Sequence, residues 1–279
     1  KNMNLKKIKK EMIKKKIDLV PVLDQDNKVK TYITLDSDIN FPYKISKIKI
    51  KNPVIIMAGG KGKRLMPYTN NCPKPMLKVG DKPMLEIIIN KCIEFGFRKF
   101  YISVNYLKKQ IIEHFKDGAH LNVEISYLEE KSPLGTAGSL SLLPKDLKHP
   151  FIVMNGDILT QINLANLISY HKKHSSLATV CVREEKYQCQ FGVIKTKGIF
   201  LDEFEEKPII SNLVNAGIYV LNPKVIEFLN KKNYTDMPDL LRIVKSNNHE
   251  VIVYPIHEYW IDIGRYETYQ KAEQEWRNY

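Results

Sequence analysis

The densest chemistry in this chain is the run Ala58-Gly59-Gly60-Lys61-Gly62-Lys63-Arg64-Leu65, which leaves the apolar segment 54–58. Glycines directly after a strand let backbone N–H groups approach an anion closely, and the basic residues add charge where a triphosphate would lie. Two well-known glycine loops are excluded. A GxGxxG dinucleotide loop requires glycine where Leu65 stands. A Walker loop needs four residues between its first glycine and GK[ST], and a hydroxyl where Arg64 stands. Lys74 follows between Pro73 and Pro75. Each proline fixes its own φ and restricts its predecessor, so this ammonium sits on a stiff backbone that can be aimed at a phosphate. Two aspartates occupy turn-like settings, Asp157 in Asn155-Gly156-Asp157 and Asp262 in Trp260-Ile261-Asp262-Ile263-Gly264. One aspartate in a turn is ordinarily a cap or turn former. A pair supplies hard, oxygen-rich ligation suited to magnesium (Mg2+) shared with phosphate oxygens. Glu129 and Glu130 precede Leu134-Gly135-Thr136-Ala137-Gly138. A carboxylate accepts both the N1–H and the N2 amine of guanine, whereas a pyrimidine N3–H offers one donor. Either glutamate could therefore favour guanine, or be an exposed loop charge.

These residues need a scaffold, and from Pro53 onward the pattern alternates strands with helices. Strands are predicted at 54–57, 99–104, 123–128 and 151–154, and helices at 84–95, 107–115, 137–142 and 164–171. Such alternation implies a mostly parallel sheet with helices on both faces. Asp157 then lies just past a strand's C-terminal end, where open α/β sheets place ligand chemistry. Further strands are predicted at 177–182, 192–195, 200–204 and 213–221, and helices at 236–246 and 266–276. His171 and His174 read as surface residues near a helix end. Residues 1–50 differ. Ile8, Met12, Ile13 and Ile17 recur at helical spacing among lysines, followed by a strand at 19–23, a turn at 24–27 and a strand at 28–34.

The chain carries 44 Lys and Arg against 31 Asp and Glu, a net charge of +13, which admits nucleic acid, membrane surface or phosphorylated small molecules as partners. Much of the excess lies in 1–16, without interleaved aromatics or a nucleic-acid motif, so it reads as a solvated face and no nucleic-acid partner is expected. No run approaches the roughly 18 apolar residues that span a bilayer, so no membrane partner is expected either. The first residues scatter lysines through the apolar positions, unlike a signal peptide. The four cysteines, Cys72, Cys92, Cys181 and Cys189, form no CxxC pair, and reduced thiols in a cytoplasmic protein are the expectation. The chain opens on Lys1 rather than methionine, which fits a piece of a longer protein.

The composite AGGKGKRLMPYTNNCPKPMLKVGDKPMLE, from Ala58 to Glu86, resembles the opening signature of the sugar-phosphate nucleotidyltransferases, with Lys63 where that family usually has threonine. The likeness continues in order through LGTAG at 134–138, Phe191-Gly192-Val193, Glu206-Lys207-Pro208 and Asn215-Ala216-Gly217-Ile218-Tyr219. It implies a GT-A-like, Rossmann-type mixed α/β sheet over 53–279. It also implies nucleotide binding by Ala58, Gly59, Gly60, Gly62, Lys63, Glu130, Gly135 and Thr136, with backbone groups around Gly135 facing the base. Gly192, Glu206 and Asn215 would meet the sugar phosphate. Asp157 and Asp262 match the metal positions. Arg64, Lys74 and Lys207 would act in catalysis, on the leaving pyrophosphate, the α-phosphate and the nucleophile in turn. Residues 20–34 resemble the strand–turn–strand half of a CBS motif at Pro21, Val22, Asp24 and Thr34, with Thr31 where glycine is usual. A full CBS module holds two such motifs. The 1–50 segment is therefore expected to be a partial CBS-like appendage that forms no adenine-nucleotide site alone.

The implied reaction joins a nucleoside triphosphate to a sugar 1-phosphate and releases pyrophosphate, with Mg2+ as cofactor and a homo-oligomer admitted. The CBS-fused arrangement is similar to guanylyltransferases that make GDP-sugars, including glucosamine-1-phosphate guanylyltransferases of the legionaminic acid pathway, with mannose- and heptose-phosphate guanylyltransferases as close alternatives. Thymidylyl or uridylyl transfer to glucose 1-phosphate is the alternative, and a catalytically idle nucleotide sensor is the alternative of another class.

Overall fold

Val54-Ile55-Ile56-Met57 is apolar without interruption because both faces of this strand are covered. Val54 and Ile56 point into one core with Met84, Leu85, Ile88, Phe100, Ile102, Leu167 and Ala272. Ile55 points into a second core with Tyr101, Leu140, Val153, Leu240 and Val244. The strand period of two thus sorts one sequence onto two helical layers. Truncating Ile55, fully buried in the second layer, would cost about 2–5 kcal/mol.

The computed structural model describes residues 5–15, 17, 19–23, 29–34, 49–230 and 233–276. The chain divides into two compact units, Lys1–Lys44 and Ile45–Tyr279. In the larger unit seven strands run from edge to edge as Val251–Pro255, Ala178–Gln188, Ile209–Leu221, Phe151–Asn155, Val54–Met57, Lys99–Val104 and Glu124–Glu129. All neighbours are parallel except those of Ile209–Leu221, which runs antiparallel to both of its partners. The sheet is therefore mixed. Helices Met84–Glu94, Lys108–Phe115, Leu164–His174 and Tyr266–Glu275 contribute to the first core, and Gly135–Gly138 and Met237–Ser246 to the second. The chain moves outward from Val54–Met57 to Lys99–Val104 and Glu124–Glu129, then returns to its other side at Phe151–Asn155. That reversal makes the crevice beyond Met57 and Asn155 the topological switch point, where sheets of this kind bind ligands.

Several elements differ from expectation. Ala178–Gln188 and Ile209–Leu221 both extend well past the core as a paired ribbon, next to an antiparallel pair Val193–Lys197 and Phe200–Glu205. Every residue of Phe200–Glu205 is exposed, so no burial pattern marks these strands in the sequence. Strand Val251–Pro255 and the short antiparallel pair Ile158–Thr160 with Trp260–Asp262 were not expected. Helix Leu164–His174 is longer than predicted, capped by the Asn163 side chain accepting from Ala165 and Asn166 N–H. His171 is a correction: it is buried, with Nδ1 2.8 Å from the Thr179 hydroxyl, because it falls on the same helix face as the buried Leu164, Leu167 and Ile168. All four cysteines are free.

In the smaller unit, helix Leu5–Lys15 precedes strands Leu19–Leu23 and Val29–Thr34, which pair antiparallel with Leu19 opposite Thr34. Met12 and Ile33 are buried. Ile17 falls beyond the helix. The expected turn at 24–27, with Asp24, lies outside the described residues. No helix among the described residues is long and apolar enough to cross a membrane.

Candidate active site

The chain leaves Met57 into the glycine run with the Ala58 N–H donated to Ser103 O at 2.9 Å. It then turns through Gly62 at φ +62°, where an added Cβ would come within 3.0 Å of Lys74 and Thr69 side chains. A left-handed backbone pressed against two neighbours admits only glycine. The 3-10 turn Lys63–Leu65 follows, seating Leu65 in the core. Arg64 meanwhile reaches Gly264, whose ideal Cβ would lie 3.2 Å from a guanidinium nitrogen and 3.1 Å from Asp262 Oδ1. Lys74 opens another 3-10 turn, Lys74–Met76, with Pro73 as its N-cap. The lysine is buried, and its Nζ donates to Asp157 Oδ2.

The two aspartates meet through the short sheet that was not expected. Asp262 pairs with Ile158, and Ile263 N–H donates to Asp157 O at 2.9 Å. Burial first, and the negative charge of Asp157 second, push the Asp262 carboxyl above its usual range, while Lys74 and Arg64 pull it back. Asp157 Oδ1 is buried and has no hydrogen-bond partner among the described residues. A partnerless carboxylate oxygen beside a second carboxylate is a donor set that fits a hard cation. No group of three or more His, Cys, Asp or Glu among the described residues could hold a metal alone. A cation here would complete its shell with phosphate or water oxygens, as magnesium commonly does.

The LGTAG segment begins beside the glycine run. Glu130 turns inward, where Ser103 Oγ donates to Oε1 and Leu134 N–H donates to Oε2 at 2.8 Å. An added Cβ on Gly59 would lie 3.0 Å from that Oε1. Glu129 turns out, paired with Lys108 at 2.7 Å and more than half exposed. Glu129 is thus the exposed loop charge of the two alternatives, and Glu130 ties the loop to the sheet. Gly135 sits at φ +80°, against Thr235 of the segment that opens helix Met237–Ser246.

On the ribbon, Gly192 faces Phe204 and Glu206, whose atoms would lie 2.7 and 2.8 Å from an added Cβ. Lys207 follows at φ +46°, uncommon for a residue with a side chain. Asn215 donates through Nδ2 to the Tyr219 hydroxyl at 2.7 Å and accepts Gly217 N–H at 3.0 Å. Its amide therefore shapes the turn-in of the ribbon toward Asn155, which a Cβ on Gly217 would strike. The structure brings Arg64, Lys74, Asp157 and Asp262 together, Gly59 to Glu130, and Gly192 to Glu206. Among the described residues no hydrogen bond or ion pair joins Lys207 or Glu206 to the aspartate pair.

Residues 53–278 match the family described as Nucleotidyl transferase. The chain belongs to that family. It is 32% identical over 225 residues to the mannose-1-phosphate guanyltransferase of Schizosaccharomyces pombe, covering 77% of this chain and 61% of the relative. It is 31% identical over 218 residues to the mannose-1-phosphate guanylyltransferase catalytic subunit beta of Drosophila pseudoobscura pseudoobscura, covering 76% of this chain and 58% of the relative. The chain thus spans about three fifths of the length of these relatives. Among solved structures it is similar to HddC from Yersinia pseudotuberculosis complexed with GMP-PN, with a TM-score of 0.64, 25% identity, and coverage of 81% of this chain and 99% of that one. A UDP-glucose pyrophosphorylase complexed with UDP-glucose shares the fold, with a TM-score of 0.62 and 23% identity, over 82% of this chain and 99% of that one.

Within this family's fold, sequence reasoning missed the residues that hold the site from behind. Ser103 sits near the end of strand Lys99–Val104 and Asn105 just beyond it, and Asn105 Nδ2 donates to Glu130 O at 3.0 Å. Trp260 Nε1 donates to Ala216 O at 2.9 Å, joining the Asp262 strand to the ribbon. Asp236 carried a signal, as a helix-opening aspartate, yet its side chain serves another segment, as described below.

Proposed function

We propose that this chain transfers GMP from GTP to a hexose or amino-hexose 1-phosphate, giving a nucleotide sugar and pyrophosphate. The observation that carries the reading is the meeting of Lys74, Arg64, Asp157 and Asp262 at the switch point, directly beside the glycine run. The base assignment leans on the mannose-1-phosphate guanyltransferase relatives and on the GMP-PN-bound neighbour. A doubly hydrogen-bonded Glu130 is better suited to holding the loop than to reading guanine directly.

The reaction is an in-line displacement. A phosphate oxygen of the sugar phosphate attacks the α-phosphorus of GTP, the bond from that phosphorus to the bridging oxygen of the β-phosphate breaks, and pyrophosphate leaves. The nucleophile is already an anion, so alignment and charge stabilisation carry the catalysis rather than a strong general base. The amides of Gly59, Gly60 and Gly62, with Lys63 and Arg64, hold the triphosphate and the departing pyrophosphate, while Ala58, whose N–H is spent on Ser103 O, anchors the start of the run to the sheet. Lys74 steadies the α-phosphate. Lys207 aligns the sugar phosphate, while Gly192, Glu206 and Asn215 shape the sugar side. Asp157 and Asp262 would hold Mg2+, which when bound supplies positive charge to the phosphates. Reduced thiols fit a cytoplasmic setting, and the small N-terminal unit is read as a partial CBS-like appendage.

The test is a matrix of GTP, ATP, UTP, CTP and dTTP against mannose, glucose and glucosamine 1-phosphates, with and without Mg2+, scored by pyrophosphate release. Magnesium-dependent release with GTP preferred is expected. Better turnover of UTP or dTTP overturns the base assignment, and binding of nucleotide without release in any combination makes the chain a sensor instead.

A further inference from the structure

Asp236 belongs to no role assigned so far, yet its carboxylate ties two stretches of chain together, 134–138 and 234–237. Oδ1 accepts the Thr136 N–H at 3.0 Å and the Thr136 hydroxyl at 3.2 Å. Oδ2 accepts the Tyr234 hydroxyl at 3.0 Å. The Thr136 hydroxyl oxygen in turn accepts the Met237 N–H at 2.8 Å. Asp236 is the N-cap of helix Met237–Ser246, but its side chain makes no capping bond to that helix. An N-cap aspartate ordinarily accepts from its own first turn. Here the carboxylate is committed to the LGTAG segment, and Thr136 caps the helix in exchange.

The backbone repeats the same docking. Thr235 O accepts from Ala137 and Gly138 N–H at 3.0 Å each, and Thr235 N–H donates to Leu134 O at 2.9 Å. The approach is so close that a Cβ on Gly135 would come 2.5 Å from Thr235 O. The glycine is therefore explained by Thr235 behind it as much as by any ligand in front. Two carboxylates grip the segment on either side of Gly135: Glu130 takes the Leu134 N–H from the sheet side, and Asp236 takes the Thr136 N–H from the helix side.

We propose that Asp236 is a positioning residue for base selection, holding Gly135 and Thr136 in register with Gly59 so that the loop admits a purine nucleoside triphosphate and discriminates among bases. The inference rests on the triphosphate reading of the cleft given above. Charge-assisted bonds to backbone N–H groups are the strong ones, and their loss lets the loop drift. The triphosphate grip has separate supports, in the Gly62 turn and its Thr69 Oγ1 to Gly62 O bond at 2.9 Å. Loss of Asp236 thus acts on recognition of the base more than on the chemical step.

The experiment compares the native chain with Asp236→Ala and Asp236→Asn. It uses GTP, ATP, UTP, CTP and dTTP with mannose 1-phosphate, and a direct titration of GTP without the sugar phosphate. Asp236→Ala is expected to raise the KM and Kd for GTP roughly tenfold and to shrink the GTP-to-UTP ratio of kcat/KM by a similar factor, with kcat within about twofold and the sugar-phosphate KM unchanged. Asp236→Asn keeps the Oδ1 acceptor and is expected to restore most of both. A folded Asp236→Ala with native GTP affinity and native discrimination overturns the inference, as does a loss confined to kcat. If Asp236→Ala does not fold, Asp236→Ser, which can cap its own helix in the ordinary way but no longer presents a carboxylate to Thr136, carries the same readouts. Unchanged discrimination in that variant overturns the inference equally. A native chain that neither binds nor turns over any triphosphate overturns the cleft reading and this inference with it, whereas native turnover beside an unaltered variant overturns this inference alone.

Discussion

Asp157 lies close enough to Asp262 that its charge adds to the cost of ionising Asp262, and a buried lysine occupies one of their four oxygens. On the proposed reading a cation shared with phosphates would relieve that repulsion, and each carboxylate would be worth most when charge is being redistributed at the α-phosphate. Asp157→Asn and Asp262→Asn are each expected to cut turnover by roughly a thousandfold or more, since every ~1.4 kcal/mol is tenfold and a metal ligand contributes several. Circular dichroism should show an unchanged fold. Near-native turnover by either variant at saturating magnesium would sink the assignment. Lys207 makes a different kind of case. Its φ of +46° costs a side-chain-bearing residue about 1–2 kcal/mol, which glycine avoids. Lys207→Gly is therefore expected to raise the thermal midpoint while weakening sugar-phosphate binding and sparing GTP binding, measured by melting and by titrating each substrate. A variant that melts lower, or loses GTP rather than sugar phosphate, contradicts the role. Residues of this kind were legible in the sequence because glycine, proline and paired aspartate carry their physics locally. Glu130 was legible only as one of two acids, because the partners that turn it inward, Ser103 and the Leu134 amide, are set by the fold.

Secondary structure built on burial was readable, and secondary structure built on pairing alone was not. The uninterrupted apolar run of Val54–Met57 and the amphipathic helix Met84–Glu94 announce themselves. Strands Ile158–Thr160 and Trp260–Asp262 have three residues each, too few for a period, and exist because segments far apart in sequence come together. The ribbon of Ala178–Gln188 and Ile209–Leu221 loses its burial pattern where it leaves the core, which is why its ends were read short. The missed pair has a testable consequence. Trp260 fastens the Asp262 strand to the ribbon through its indole N–H on Ala216 O. Trp260→Phe keeps the aromatic bulk and removes that bond, so a stability loss of about 1 kcal/mol is expected. A larger relative fall in kcat than in either substrate's affinity should accompany it, because Asp262 would sit less squarely beside Asp157. Equal kcat in the two proteins, with the melting point lowered, would show that the bond serves stability alone.

At the scale of the whole molecule, global stability should carry an acid limb written by His171. Helix Leu164–His174 presses this imidazole against the sheet, where the Thr179 hydroxyl lies 2.8 Å from Nδ1 and the Ser176 hydroxyl lies 3.5 Å from that same threonine. Burial first, and the neighbouring Lys172 charge second, lower its pKa from 6.5 to about 4. The folded protein therefore keeps His171 neutral over a range in which the unfolded chain protonates it. Between about pH 4 and 6.5 the unfolded state binds more protons, so stability rises with pH there. The contribution is complete above the unfolded pKa and is lost as pH falls through 6.5 toward 4, with an upper bound of about 3 kcal/mol at ~1.4 kcal/mol per unit. His171→Asn retains a short polar group for Thr179 and cannot titrate. Its overall stability will be lower, because a packed ring is lost, but its urea midpoint should fall less steeply than the native one between pH 6.5 and 4.5. The slope is the decisive quantity, since carboxylates and the other histidines titrate alike in both proteins. Parallel curves across that interval would mean that His171 is protonated in the fold, and that water reaches it where the helix meets the sheet.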